Sequence, residues 1–498
     1  MNVNPITRLD YPDPDVIRVE DTYYMVSTTM HFMPGCEILQ SFDLVNWEHA
    51  TYVYETLDHT DAQQLKSGQN IYGQGMWAAS LRYHEGRFYI CFVANDTRKT
   101  YLYTSEKIDG PWKKQLIEGF YHDGSLLFDE DGRNYIVYGN DEIWITELNE
   151  DLTAPKKDGL HRLLVSDHKN PKLGYEGSHI QKINGYYYIF LIHSLRDRWM
   201  RTEACFYSDS LEGEFTGGDV LCDDRGYCGQ GVAQGGIVDT PDGKWYAMLF
   251  QDSGAVGRLP ILLPVTWKDH FPVFGQNGHV PEEIEVHSTR PGYIYQPLVG
   301  SDDFCNGLLP RWQFNHDPDP RYYHLDALQG TYTITTREVC TELTQAVNTL
   351  TQRMSYPSCA AEVTVDASAL KEGDVAGLCA FQGCYAAVGI TKHHGKYEVL
   401  MLDKKEDGIL DMTEGTVVES HQMDFRLEAD FCNMKDEARC YYRVNKGDWL
   451  PIGTVHKLYF KLDHFTGCRF GLFCYAAEET GGSACFRDFK YYDVDEIS

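Results

Sequence analysis

Over the first 300 residues the apolar positions fall in short runs rich in Tyr, Phe, Ile and Val, each introduced by a polar turn. The pattern recurs. Glu20-Asp21-Thr22 leads into Tyr23-Tyr24-Met25-Val26, Glu85-Gly86-Arg87 into Phe88-Tyr89-Ile90-Cys91, and Asp131-Gly132-Arg133-Asn134 into Tyr135-Ile136-Val137. Asn184-Gly185 leads into Tyr186 to Phe190, and Asp242-Gly243-Lys244 into Trp245 to Met248. Asp-Gly and Asn-Gly tolerate positive φ and mark tight turns between strands. Segments such as Ser41 to Trp47 and Gly110-Pro111-Trp112 close the first two copies. Five copies at intervals of roughly 45 to 65 residues match the period of four-stranded propeller blades. No long amphipathic helix interrupts them. The pattern predicts an all-β protein with a five-bladed β-propeller over 1–296; a double-sheet sandwich accounts less well for the regular period.

Beyond Arg290-Pro291-Gly292 the five-fold motif stops. Shorter alternating segments follow, such as Thr331 to Thr335 and Ala361 to Val365, with frequent Gly and Asp turns. That texture predicts an antiparallel β-sandwich over 300–498, a jelly roll of the concanavalin-like kind.

Composition narrows the function. At 498 residues the chain is long enough for two or three domains. It is 43% hydrophobic and 24% charged, as in soluble globular proteins, and no segment resembles a membrane span or a secretory signal. A net charge of −30 excludes the basic footprint that nucleic acid requires. The 34 Tyr, 23 Phe and 9 Trp suit both β structure and the flat faces that meet sugars. Fifteen scattered cysteines without a C-x-x-C pair read as reduced, buried thiols of a cytoplasmic protein, not as a disulfide framework or a zinc site. The partner expected is a small neutral oligosaccharide. Nothing in the sequence sets an oligomeric state.

A propeller brings the starts of its inner strands around one axis, so carboxylates just before such strands are the candidates for chemistry. Asp13 lies between Pro12 and Pro14. Those prolines restrict the backbone on both sides and favour an extended Asp13, but a plain proline turn explains the motif as well. Asp123, in Tyr121-His122-Asp123-Gly124-Ser125, also reads as an Asp-Gly turn when taken alone. Glu176, in Gly174-Tyr175-Glu176-Gly177-Ser178-His179, is less like a solvated charge.

Together, in this order, these motifs resemble glycoside hydrolase family 43. Trp77 in Gly75-Met76-Trp77-Ala78-Ala79, Ser41 to Trp47, and Gly257-Arg258 followed by Pro264-Val265-Thr266-Trp267 add to the resemblance, which covers essentially the first 300 residues. The resemblance implies an inverting glycosidase with Asp13 as general base, Glu176 as general acid and Asp123 orienting the acid and tuning its pKa. Such chemistry sets the two working carboxyls about 6.5–9.5 Å apart and requires a protonated acid, which a neighbouring anion and partial burial favour. Arg258 is expected to bond the terminal sugar. Trp77 and the run Met30-His31-Phe32-Met33 are expected to line the sugar pocket, with His31 and Phe32 as contacts; Asp10 and Asp15 are expected outside the reaction.

The chain also departs from the family pattern. Asp13-Pro14-Asp15 and Asp123-Gly124-Ser125 stand where D-P-S is frequent, and Ser178 stands where Pro is common. Gln234, in Ala233-Gln234-Gly235-Gly236, replaces the axial His that members place near a calcium or other ion. No cofactor or catalytic metal is therefore expected; a structural calcium or sodium ion is the one ion the resemblance leaves open. The segments Ala233 to Gly243 and Gln251 to Arg258 are most similar to arabinofuranosidases that debranch arabinoxylan, with β-D-xylosidase as the alternative. A retaining fructosidase would show Arg-Asp-Pro and Glu-Cys motifs, which are absent. A non-catalytic sugar-binding propeller would lack one of the three carboxylates, and all are present.

Overall fold

Each predicted tight turn joins the first two strands of a four-stranded antiparallel sheet. In the computed structural model, which describes residues 3–461 and 466–493, those hairpins are 15–19/22–26, 80–84/87–94, 125–128/134–140, 176–183/186–194 and 233–239/245–252. Gly86, Gly132, Gly185 and Gly243 occupy the left-handed conformation that the turns demand, with φ between 78° and 84°. Two further strands complete each blade, in simple sequential order. Besides strands, the described residues contain four short 3₁₀ turns. Among them no helix is long and apolar enough to cross a membrane.

The ring closes between blades one and five. Val16, Tyr23 and Met25 of the first blade bury against Val238, Tyr246, Met248 and Leu262 of the last. Each such side chain removed from water contributes about 1.5–3 kcal/mol. The N-terminal segment reinforces the closure: the Ile6 amide donates to Pro260 O (2.8 Å) and the Tyr11 amide to Arg258 O (3.0 Å).

The C-terminal half packs two sheets face to face. Leu378, Val388, Ile390 and Leu472 from one meet Val363, Phe425, Leu427 and Phe486 from the other. One of these sheets continues into the propeller, because the short strand Phe32–Met33 pairs with Gln313–Asn315 at the sandwich edge. Buried charges cross the same seam. Arg353 Nη1 lies 2.8 Å from Glu37 Oε2, and its Nε donates to Asp10 O at 2.8 Å. Arg469 stacks 3.5 Å from the Phe32 ring centre.

This seam changes the place of two expected sugar contacts. His31 and Phe32 are fully buried in it: His31 packs against Tyr72 and His316, and Phe32 against Phe381 and under Arg469. Within the run Met30 to Met33, Phe32 packs into the sandwich while Met33 packs in the propeller core and Met30 bridges to Met76, so protein and not sugar covers it. All fifteen cysteines are free, ten of them buried, but Cys222, Cys228, Cys305 and Cys432 are exposed, against the expectation that all would be buried.

Candidate active site

The axis is built by one residue from the mouth of each blade. Asp13 precedes the inner strand of blade one, Trp77 that of blade two and Asp123 that of blade three; Glu176 opens that of blade four, and Gln234 lies within that of blade five. All five line one cavity of about 860 Å³. The backbone presents them by a shared device, a left-handed residue at the mouth. Asp13 (φ 52°), Gly75 (φ 79°), Asp123 (φ 48°), Gly177 (φ 66°) and Gln234 (φ 61°) all adopt it. The extended backbone expected for Asp13 is therefore not found. Asp tolerates the left-handed region better than most residues, and tertiary bonds hold it there: Pro12 O accepts from Ser27 Oγ (2.7 Å) and from the Thr28 amide (3.1 Å).

Both oxygens of Asp13 are engaged, Oδ2 by Thr28 Oγ1 at 2.6 Å and Oδ1 by Arg258 Nη1 at 2.8 Å. Arg258 Nε is also 3.3 Å from Asp252 Oδ1, and Asp252 Oδ2 is 2.9 Å from Arg201 Nη1. Both guanidinium groups lie over the Phe250 ring, at 4.7 and 5.2 Å. Asp123 Oδ2 accepts the Gly177 amide at 3.0 Å, tying it to the residue after Glu176. Glu176 Oε2 accepts from Asn140 Nδ2 at 2.8 Å. His122 Nε2 stands 3.5 Å from both Asp123 Oδ2 and Glu176 Oε2, with the Trp77 ring 6.1 Å away.

Electrostatics sort these groups. Burial pushes Asp123 up to about 6; Glu176 and Asp13 add to the rise, while His122 and the Gly177 amide oppose it. Burial disfavours charge on His122, but Asp123, Glu176 and Asp13 outweigh it and carry the imidazole up to about 9. Burial also penalises ionised Glu176, yet His122, Arg201 and Arg258 prevail and hold its carboxyl below the usual range. The expectation of a raised acid is thus reversed in the free site. The neighbouring anions are there, but the His122 imidazole, whose proton affinity they raise, stands between Glu176 and Asp123.

Asp10 and Asp15 hold structure and line no part of the cavity. Asp10 accepts the amides of Arg258 (2.7 Å) and Gly467 (2.8 Å), and Asp15 accepts the Leu81 amide and Arg82 Nη1. Gln234 stands as a cavity residue where the family's axial His would be: its backbone N–H donates to the buried Glu203 Oε2 at 2.7 Å, and its side chain lies against Gly177. His122, Asp123 and Glu176 offer ligand atoms within 4.8 Å of one another. Those atoms face each other as proton donors and acceptors, so the group is read as an acid–base cluster.

Several cavity residues were not named from the sequence. Arg201 opens a blade strand and Asn140 and Asp252 end theirs, Asp252 within the Gln251 to Arg258 segment; Asp436 with Lys457 to Lys461 come from the sandwich, which forms the far wall. His122 did stand beside Asp123 in the sequence and could have been found there.

A five-bladed propeller that gathers Asp13, Asp123, Glu176 and Asp252 with two arginines at one end of its axis has the layout of a glycosidase catalytic domain. The chain belongs to glycosyl hydrolases family 43, whose model matches residues 3–272; residues 301–492 match the beta xylosidase C-terminal concanavalin A-like domain. A β-xylosidase of Formosa agariphila is 27% identical over 99% of this chain and 89% of its own length. A non-reducing end α-L-arabinofuranosidase of Bacteroides ovatus is 24% identical over 82% of this chain and 79% of its own. The solved structure of a bifunctional GH43-CE protein of Bacteroides eggerthii superposes with a TM-score of 0.92 at 42% identity over 99% of this chain, which spans 64% of that protein.

Proposed function

We propose that this protein is an inverting exo-glycosidase that releases terminal α-L-arabinofuranosyl units from arabinoxylan-derived oligosaccharides. Asp13 acts as general base on a water, Glu176 as general acid on the leaving oxygen, and Asp123 orients Glu176 through the Gly177 amide. The convergence of Asp13, Asp123 and Glu176 in one cavity with Arg258 carries this reading. The cavity is closed on one side by the sandwich, which suits a chain end better than the middle of a polymer. Arg258 donates to Asp13 at 2.8 Å, which fixes the direction of the base, and it lines the cavity beside it. Trp77 offers an aromatic wall. The chemistry needs no cofactor, and the free thiols suit work in the cytoplasm on imported oligosaccharides.

A β-D-xylosidase is the second reading, favoured by the name of the Formosa relative. Hydrolysis of nitrophenyl α-L-arabinofuranoside against nitrophenyl β-D-xylopyranoside separates the two. NMR of the first-formed anomer is expected to show inversion, and retention would overturn the single-displacement mechanism. Asp13→Ala is expected to abolish turnover; near-normal rates would remove Asp13 as the base. Glu176→Ala is expected to spare the activated nitrophenyl substrate more than an oligosaccharide, since general-acid help is worth about 10²–10⁴-fold and a good leaving group needs less of it.

A further inference from the structure

We propose that His122 supplies the proton of Glu176, storing it on Nε2 in the free enzyme and passing it to Oε2 when substrate fills the cavity. The inference rests on Glu176 being the general acid. The geometry singles His122 out. Its Nε2 is 3.5 Å from the Glu176 oxygen that also accepts from Asn140, and equally 3.5 Å from Asp123 Oδ2. Its backbone is pinned, because the Gly139 amide donates to His122 O at 3.0 Å. Three blades face the imidazole with charge: Asp13 from blade one, Asp123 from blade three and Glu176 from blade four. Blade two contributes the neutral Trp77 ring. The cations Arg201 and Arg258 act on Glu176 from blades four and five.

The arrangement resolves a conflict in the site. A general acid must be protonated, yet Glu176 stands among cations that favour its anion. The imidazole is the group that keeps a proton within reach at neutral pH, since three carboxylates surround it. When sugar displaces water, a separated charge pair loses more solvation than a neutral pair. The Nε2–H bond then breaks and an Oε2–H bond forms, leaving neutral imidazole and neutral carboxylic acid. Glu176 gives that proton to the glycosidic oxygen as the C–O bond breaks and its electron pair stays on that oxygen. Asp13 takes a proton from the attacking water. After product release Asp13 returns its proton to solvent, and the His122–Glu176 pair takes one up. His122 is thus a positioning residue for a proton, acting through Glu176.

The pair holds one transferable proton, so the alkaline limb of kcat/KM reports its loss from the pair as a whole. The test is the pH profile of the wild type and of His122→Gln on two substrates: an arabinoxylo- or xylo-oligosaccharide, and the nitrophenyl glycoside the enzyme turns over. With His122 the alkaline limb for the oligosaccharide is expected at or above about pH 8, following the imidazole. Without it Glu176 must hold its own proton, and the limb is expected to move toward acid by more than about one unit, a loss of about tenfold or more at pH 8.5. The nitrophenyl glycoside, needing less acid help, is expected to lose less than about threefold. An unmoved limb, or equal losses on both substrates at every pH, would overturn the proposal. Should His122→Gln fail to fold, the wild-type profile alone decides, since a limb below pH 8 contradicts a proton held by the pair. Dialysis against EDTA is expected to change nothing; activity lost and then restored by a divalent cation would make the cluster an ion site and overturn the proposal. Failure of the underlying assignment is distinct: Glu176→Ala would then lose both substrates alike, whatever His122→Gln did.

Discussion

Asp13, Arg258, Asp252 and Arg201 form a chain of alternating charge in which each group is the neighbour of the next. Arg258 spans two carboxylates at once through different nitrogens, which a planar guanidinium can do and an ammonium cannot. Arg258→Ala is therefore expected to lower kcat/KM by about 10²-fold or more, and Arg258→Lys to recover little of it, as steady-state kinetics on the nitrophenyl glycoside would show. Full recovery by Lys would reduce Arg258 to a point charge. At this scale the sequence was informative where the motif itself was informative. The carboxylates and Arg258 carry their neighbours with them. Arg201 does not, since it opens a strand whose pattern reads as any blade strand, and Asp252, though inside the Gln251 to Arg258 segment, showed no role until ring closure set both beside Arg258 and Asp13. His31 and Phe32 misled for the converse reason: an aromatic run beside a predicted pocket reads alike whether sugar or protein covers it.

Among the elements, the bulged starts of the inner strands of blades four and five aim the chemistry. Register shifts fall between Glu176 and His179 and between Ala233 and Gly236, and the two bulges touch. A Cβ added at Gly177 would sit 2.7 Å from Gln234 Cγ, at a φ of 66° that side chains rarely adopt. Gly177 also donates its amide to Asp123. Gly177→Ala is expected to cost about 1–2 kcal/mol of stability and, because it displaces Glu176 and Asp123 together, more than about tenfold in kcat. Gly185→Ala serves as a control. Its φ is 84° but nothing lies within 4 Å of the added Cβ, so a similar fall in Tm with unchanged kcat is expected. The five hairpins were legible in the sequence because their turns require Asn, Asp or Gly in fixed places. The bulges were not, because a glycine in Glu176-Gly177-Ser178 does not announce which neighbour it must clear.

Over the whole molecule, the two halves share a sheet edge, a buried ion pair and one wall of the cavity. Arg353 of the sandwich and Glu37 of the propeller are each about 4% exposed or less. Removing one member of such a pair leaves the other charged and dry, so Arg353→Met is expected to cost about 3–5 kcal/mol. Thermal unfolding followed by Trp fluorescence and by circular dichroism is expected to give one coincident transition in the wild type; two separated transitions would show that the halves unfold independently. The change of texture near residue 300 made the second domain legible, but its role in the site was not, because Asp436 and Lys457 to Lys461 reach the axis only through docking. The strand formed by Phe32 and Met33 has a further consequence for descent and for engineering. Recombination that traded the sandwich for another module would leave an unmatched backbone edge on one product and a bare aromatic face on the other. The halves are therefore heritable as one cassette, and foreign modules are better fused at its ends than at its seam.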